Sequence, residues 1–150
     1  MARRIHLAAA ALLLGAAMLV PGAAQAAENG ITLKNPWVRL IILARPAAGY
    51  FTLDNATPQA KTLTGASSPA CGHLMLHQSV HENGEEKMIG VKQVTVPAQG
   101  SVSFAPGGYH LMCMQPASSM KVGTSIPITL HFADGGTLSA DFPVKGANSP

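Results

Sequence analysis

The sequence predicts an all-β domain, built as a sandwich or a Greek-key barrel. Two observations support this fold class. Apolar residues alternate with polar ones in short runs, which is the period of a β-strand. Turn-forming residues recur between the runs, and no run keeps a helical period for more than about one turn. Short strands at this spacing are typical of sandwiches and Greek-key barrels.

From the third onward, the predicted strands are separated by turn signals, because Gly, Pro, Asn and Asp favour turns and interrupt strands. Asn55 and Ser68-Pro69 end the third and fourth strands, and Asn83-Gly84 separates the fifth from the sixth. Residues 97–100, 106–108, 123 and 134–136 separate the later ones. The ten predicted strands are residues 31–34, 37–42, 48–54, 62–66, 73–80, 86–91, 101–104, 109–114, 126–132 and 138–143.

The first 26 residues have the pattern of a secretory signal peptide. Arg3 and Arg4 precede an uncharged apolar run at residues 7–20, and Ala24-Gln25-Ala26 fits the cleavage pattern. The run is shorter than the roughly 20 residues that a membrane-spanning helix needs. We therefore expect residues 1–26 to be removed and residues 27–150 to form one exported, soluble domain.

Charge and motifs argue against several classes of function. Removal of Arg3 and Arg4 leaves 8 basic and 7 acidic residues, with no basic stripe. Nucleic acids and anionic membranes are therefore poor candidate partners. The sequence has no evident nucleophile–base pair, phosphate-binding Gly loop or functional pair of carboxylates, so we do not expect an enzyme.

The chain contains two cysteines, Cys71 and Cys113. Export would place them in an oxidising compartment, where a disulfide is possible. Two cysteines alone do not prove a bridge, because its geometry cannot be read from a sequence. The pairing stays open at this point.

A first cluster of candidate metal ligands lies around a predicted hairpin. In a strand, His73, Met75 and His77 share one face and the intervening leucines share the other. The following Asn83-Gly84 is a strong two-residue hairpin signal. If it forms the turn, position 77 pairs with position 90. Met88 then becomes a diagonal neighbour of His77, within reach of a shared ion.

A second cluster follows the Pro106-Gly107-Gly108 turn. In a strand, His110, Met112 and Met114 share one face, while Leu111 and Cys113 share the other. His110 and Met112 thus form a second half-site. Strand parity turns the Cys113 thiol away from them.

The ligand types favour Cu(I). Two imidazoles and two thioethers form a soft, neutral set. Ca²⁺ and Mg²⁺ require oxygen ligands, and Zn²⁺ prefers Cys, His and carboxylate to Met. We therefore predict a copper site made of His77, Met88, His110 and Met112.

The spacing of these four residues resembles the H-x10-M-x21-H-x-M signature of the periplasmic copper chaperones called the PCu(A)C family. The resemblance extends over residues 35–144. Other segments that share it are Trp37-Val38-Arg39, residues 48–53, residues 65–69 and residues 106–112.

The resemblance implies a cupredoxin-like β-barrel with one surface-accessible Cu(I) per chain, bound by His77, Met88, His110 and Met112. It also implies delivery of copper in the periplasm to an assembling enzyme such as cytochrome c oxidase, or to another copper chaperone. A solvent-accessible site that must dock a partner suits a monomer. Gln78 replaces a second Met found in some members. Residues 145–150 lack the His and Met of the tail that some members use for Cu(II), which puts a second copper site in doubt.

Two other functions stay open. A blue-copper electron carrier would need a thiolate ligand, and therefore Cys113, beside two His and an axial Met. The order of residues around Cys113 does not match that kind of site. A metal-free β-sandwich that binds another protein is the second alternative, and only metal binding distinguishes it.

Overall fold

The computed structural model describes residues 26–149 and shows an all-β, cupredoxin-like domain, as predicted. The predicted signal peptide lies outside the described residues except for Ala26. None of the described residues belongs to a helix long and apolar enough to cross a membrane. The strands are β1 (Ala26–Glu28), β2 (Ile31–Arg39), β3 (Ala47–Asn55), β4 (Lys61–Ser67), β5 (Cys71–Glu82), β6 (Glu85–Gly90), β7 (Val94–Val96), β8 (Gly100–Phe104), β9 (Tyr109–Pro116), β10 (Ser125–Phe132) and β11 (Thr137–Lys145).

The strands form one continuous sheet in the order β6-β5-β9-β8-β3-β2-β11-β10-β4-β7, and β1 pairs with β2. Strand β9 pairs with β5 along its length and also pairs with β3 over residues 111–113. Near opposite ends of this order, β4 and β5 contact each other. The sheet therefore curls around one core, which gives the sandwich or barrel that the strand pattern predicts.

Alternating side chains on the inner face form the core. Leu33, Leu53 and Leu130 are fully buried there. Phe51 stacks on Phe104 with ring centroids 4.4 Å apart. This burial is the main favourable term in folding, and it leaves the outer face of β5, β6 and β9 free to carry other side chains.

Two predicted strand boundaries are wrong. The predicted strands at 31–34 and 37–42 form one strand, β2, because a bulge after Lys34 absorbs the interruption. Asn35 adopts a left-handed φ of 51° there, a conformation that Asn tolerates better than most residues. Strand β2 then ends at Arg39 instead of residue 42. Residues 40–46 form a loop whose Ile41 is exposed, since pairing between β2 and β3 extends only to Arg39.

Two short strands are not among the ten predicted ones. They are β1 and β7, each three residues long. Segments this short carry little periodic signal, and their strand character comes from pairing with β2 and β4. Their existence therefore depends on tertiary contacts.

The open question about the cysteines is resolved by a disulfide between Cys71 on β5 and Cys113 on β9. Cys113 lies on the core face and is almost fully buried, as strand parity predicts. The bridge joins two neighbouring strands across 42 residues of sequence.

Replacing both cysteines, as Cys71→Ala/Cys113→Ala, should lower the free energy of unfolding by about 4 kcal/mol, the loop-closure estimate for a bridge of this span. Urea unfolding of the oxidised wild type and of the variant measures the difference. The reduced wild type is the matched control and should behave like the variant. An unchanged unfolding midpoint in the variant would show that the bridge does not stabilise the fold.

Candidate metal centre

Two histidines face each other across the β5–β9 pair. His77 on β5 lies directly opposite His110 on β9. Their rings are nearly parallel, with an interplanar angle of 18° and centroids 5.9 Å apart. Imidazole nitrogens bind first-row metals at about 2 Å, so modest ring rotations let both rings reach one ion.

The two predicted methionines lie on either side of this pair. His77 is opposite Gly90 and Ser79 is opposite Met88, so Met88 is the diagonal neighbour of His77 that the hairpin signal predicts. On the other side, Met112 lies two residues along β9 from His110 and on the same face. The structure thus brings all four predicted residues onto one face of β6, β5 and β9.

Exposure increases across the cluster. His110 is only 4% exposed, Met112 is half-buried and Met88 is 65% exposed. Tyr50 on β3 accounts for part of the burial, since its ring centroid lies 6.4 Å from that of His110. One side of the candidate centre is therefore enclosed by protein, and the Met88 side is open to solvent.

The hydrogen bonding of His110 leaves one ring nitrogen available as a ligand. Its Nδ1 lies 3.1 Å from the carbonyl oxygen of Gly108, which can only accept. In the neutral ring the proton is therefore on Nδ1, and Nε2 carries the lone pair. Nε2 is buried and has no hydrogen-bond partner among residues 26–149. A buried nitrogen without a partner is costly, and a bound metal would satisfy it.

His77 has the same deficiency. Its Nδ1 is buried without a hydrogen-bond partner. Burial lowers the pKa of His77 below its ordinary value of 6.5, and neighbouring His110 lowers it further. Gly90 opposite His77 leaves space beside the ring, because a Cβ there would lie 3.9 Å from Nε2. The lowered pKa favours the neutral imidazole, which is the form that binds metal.

The centre opens into a surface depression of about 450 Å³, lined by His110, Met88 and Met112 together with charged side chains. Two of these are cations, Arg39 and Arg45, and one is the acid Glu86. The Arg39 guanidinium lies over the rings of Trp37 and Tyr50, at 5.2 and 5.5 Å from their centroids. Burial raises the pKa of Tyr50 despite the opposing effect of Arg39, so its phenol stays neutral.

The donor set fits a soft, monovalent ion. Two imidazoles and two thioethers carry no charge, and thioethers favour Cu(I) over harder ions. The two arginines that line the depression outnumber its one acid, which disfavours added positive charge there. The arrangement is therefore better suited to Cu(I) than to a divalent ion.

The other candidate ligands lie outside this group of four. Cys113 faces the core and is bonded to Cys71, so it offers no thiolate for a blue-copper site. His81, four residues after His77 on β5, lies opposite Glu86. The predicted register therefore holds, and His81 does not replace His77. Met75 lies directly opposite Met112 on the same face, and His73 and Met114 lie one step further along it.

Several supporting groups are not among the predicted ligands. Gly108, Gly90, Tyr50 and Arg39 act through pairings or ring contacts between distant segments. Tyr50 lies next to His110, and Trp37 packs against the ring of Tyr50.

Known proteins resemble this chain in sequence. Residues 31–144 match the family model "Putative lipoprotein LpqE-like". The chain is 34% identical over 143 residues to "Putative lipoprotein Lxx21020" of Leifsonia xyli subsp. xyli (strain CTCB07), covering 91% of this chain and 86% of that one. It is 30% identical over 113 residues to "Uncharacterized protein RP573" of Rickettsia prowazekii (strain Madrid E), covering 72% and 62%.

Solved structures share the fold. The copper-bound PCuAC domain from PmoF2 superposes with a TM-score of 0.69 at 22% identity, covering 83% of this chain and 99% of that domain. The solution structure of CuI-DR1885 from Deinococcus radiodurans gives a TM-score of 0.63 at 32% identity, covering 78% of each chain.

The lowered pKa of His77 predicts that stability of the metal-free protein falls in acid. Below about pH 6.5 the unfolded chain binds a proton at this residue before the folded chain does, so the free energy of unfolding decreases as the pH falls. Urea unfolding at pH 7.5 and 5.5 should show a smaller decrease for His77→Gln than for the wild type. Equal decreases in the two proteins would contradict this role of His77.

Proposed function

Because this chain belongs to the LpqE-like, or PCu(A)C, family of copper chaperones, we propose that it binds one Cu(I) through His77, Met88, His110 and Met112 and passes the ion to another protein. The observation that carries the proposal is the cross-strand pair of His77 and His110. Both rings have a buried nitrogen that has no hydrogen-bond partner in the described part of the chain, on the face that carries the two thioethers.

The oxidation state follows from charge. Four neutral ligands leave a bound Cu(I) with one positive charge, whereas Cu(II) would keep two in a depression lined by two arginines and one glutamate. Coulomb repulsion grows with the charge of the ion and is strongest where water is excluded. The half-buried centre therefore selects the lower oxidation state by ligand type and by charge.

Release of the ion requires a ligand that a partner can replace. Met88 is such a ligand, because its side chain is largely exposed and a thioether needs no proton to leave the metal. His110, at the enclosed end, holds the ion until the partner's ligands have attached. This gradient supports transfer between proteins, with copper as cargo and not as a resident catalytic cofactor.

The surface around Met88 suits contact with a protein partner. Ile41 in the β2–β3 loop is about half exposed. Ile41 and Met88 line the depression that leads to His110. Exposed apolar groups around a site commonly mark a protein-binding surface.

We propose the recipient to be an assembling copper enzyme such as cytochrome c oxidase, or another copper chaperone. Transfer would take place in the periplasm, after removal of residues 1–26. The protein would act as a monomer, since the open side of the centre has to face its recipient. Four protein ligands leave little space for an oxygen-reactive copper, which argues against a copper oxidase.

Met88→Ala should lower Cu(I) affinity by at least tenfold, on the order of the losses seen when a metal site is weakened. It should leave the fold unchanged, because the Met88 side chain is largely exposed and does not belong to the hydrophobic core. An anaerobic titration of residues 27–150 against a chromophoric Cu(I) chelator measures the affinity, and circular dichroism checks the fold.

The matched control is Ile89→Ala. Ile89 is adjacent on β6 and exposed, but it points to the opposite face of the strand. The Ile89→Ala variant should bind one Cu(I) with wild-type affinity. If Met88→Ala and Ile89→Ala bind copper equally well, Met88 is not a ligand. If the wild type binds no Cu(I), the proposed function is wrong.

A further inference from the structure

The row of soft side chains does not end at the proposed copper site. Continuing along β5 and β9, Met75 lies directly opposite Met112, and His73 lies directly opposite Met114. His73, Met75 and Met114, here called the second triad, therefore form a compact group one step beyond Met112. None of the three belongs to the site proposed above.

Strand parity fixes the face on which the second triad lies. Leu74 packs against the core, and Cys113 is buried on the same inner side. His73, Met75 and Met114 alternate with these residues and must lie on the outer face. His73 is exposed, Met75 is 42% exposed and Met114 is half-buried, so the group is open to solvent.

The register brings the three donors within reach of one ion. Directly opposite residues have Cβ atoms about 4.5–5.5 Å apart, and diagonal neighbours are about 7–8 Å apart. His73 and Met114 are an opposite pair, and Met75 is diagonal to Met114. Imidazole and thioether side chains are long enough to converge over such a triangle.

The chemistry of the second triad repeats that of the first site. One imidazole and two thioethers are soft and neutral, and none of the three is a carboxylate that would recruit a hard ion. Core packing does not account for Met75, whose side chain is substantially exposed to water. A ligand role gives these exposed soft side chains a function.

We propose that the second triad is a second, weaker site for Cu(I). It has three donors instead of four and lies in water, so its ion is less well shielded than one between His77 and His110. Met75 and Met112 are direct cross-strand neighbours, so the two sites adjoin. An ion held by the triad can move to the principal site by exchanging ligands one at a time.

The absence of His and Met from residues 145–150 does not bear on this site, because the triad lies in the sheet. The triad also stands independently of the proposed function, since it follows from the β5–β9 register and not from any ligand at His77 or Met88. The two proposals can therefore fail separately.

The test is an anaerobic Cu(I) titration of residues 27–150 carried past one equivalent, followed by ¹H–¹³C NMR of the methionine methyl groups and histidine rings. The wild type should bind a first equivalent tightly and a second more weakly. The second equivalent should shift the signals of His73, Met75 and Met114. Ag(I), a redox-stable analogue of Cu(I), should fill the two sites in the same order.

Two variants separate the sites. His73→Ala/Met75→Leu/Met114→Leu should keep the first equivalent and weaken the second by at least tenfold, on the order expected for a damaged metal site. His77→Ala/Met88→Ala should lose the tight equivalent and keep the weak one. His81→Ala, which removes another exposed imidazole from β5, is the matched control and should keep both.

The inference is overturned if the wild type never binds more than one Cu(I), or if the second equivalent survives in the triad variant. It is also overturned if His81→Ala removes the second equivalent, since the weak ion would then lie at the other end of β5. If the wild type binds no tight first Cu(I), but bound Cu(I) still shifts the NMR signals of the second triad, the proposed function is contradicted and this inference stands.

Discussion

The register of β5 against β9 is the constraint on which the rest of the site depends. Pairing His77 with His110 places Leu76 and Leu111 on the core side and every soft donor on the other. A slip of one residue would exchange the two faces and bury the donors. Burial of the leucines therefore specifies the geometry of the candidate centre, and the Cys71–Cys113 bridge ties the same two strands together.

Two neighbouring strands then give the centre its asymmetry. On one side, β3 brings Tyr50 over His110 and encloses it. On the other, the β5–β6 hairpin places Met88 where solvent and partners can reach it. An enclosed imidazole favours retention of the ion, and an exposed thioether favours exchange. A transfer protein needs both properties, and here they arise from the position of the donors within one curved sheet.

The sequence was most informative where the structure is local. Asn83-Gly84 predicts a hairpin, and both residues adopt the positive φ values that such a turn requires. The pairing of position 77 with 90 follows from that turn. The grouping of His110 with Met112 needs only the two-residue period of a strand. These local rules predict two half-sites, but they do not say that the half-sites meet.

The rest of the site depends on contacts between segments that are distant in the sequence. The β5–β9 pairing joins segments more than 30 residues apart, and only the long spacing shared with the PCu(A)C family pointed to it. The burial of His110 depends on Tyr50, 60 residues earlier in the chain. The bulge at Asn35 and the exposed loop at 40–46 depend on where β3 pairs with β2. Strand periodicity carries no information about such partners.

Copper X-ray absorption of residues 27–150, loaded anaerobically with one equivalent of Cu(I), tests the central claim most directly. The account predicts a Cu(I) edge and an inner shell of two nitrogen and two sulfur atoms, with one sulfur lost in Met112→Leu. A shell of nitrogen and oxygen alone, or an unchanged sulfur count in Met112→Leu, would contradict it.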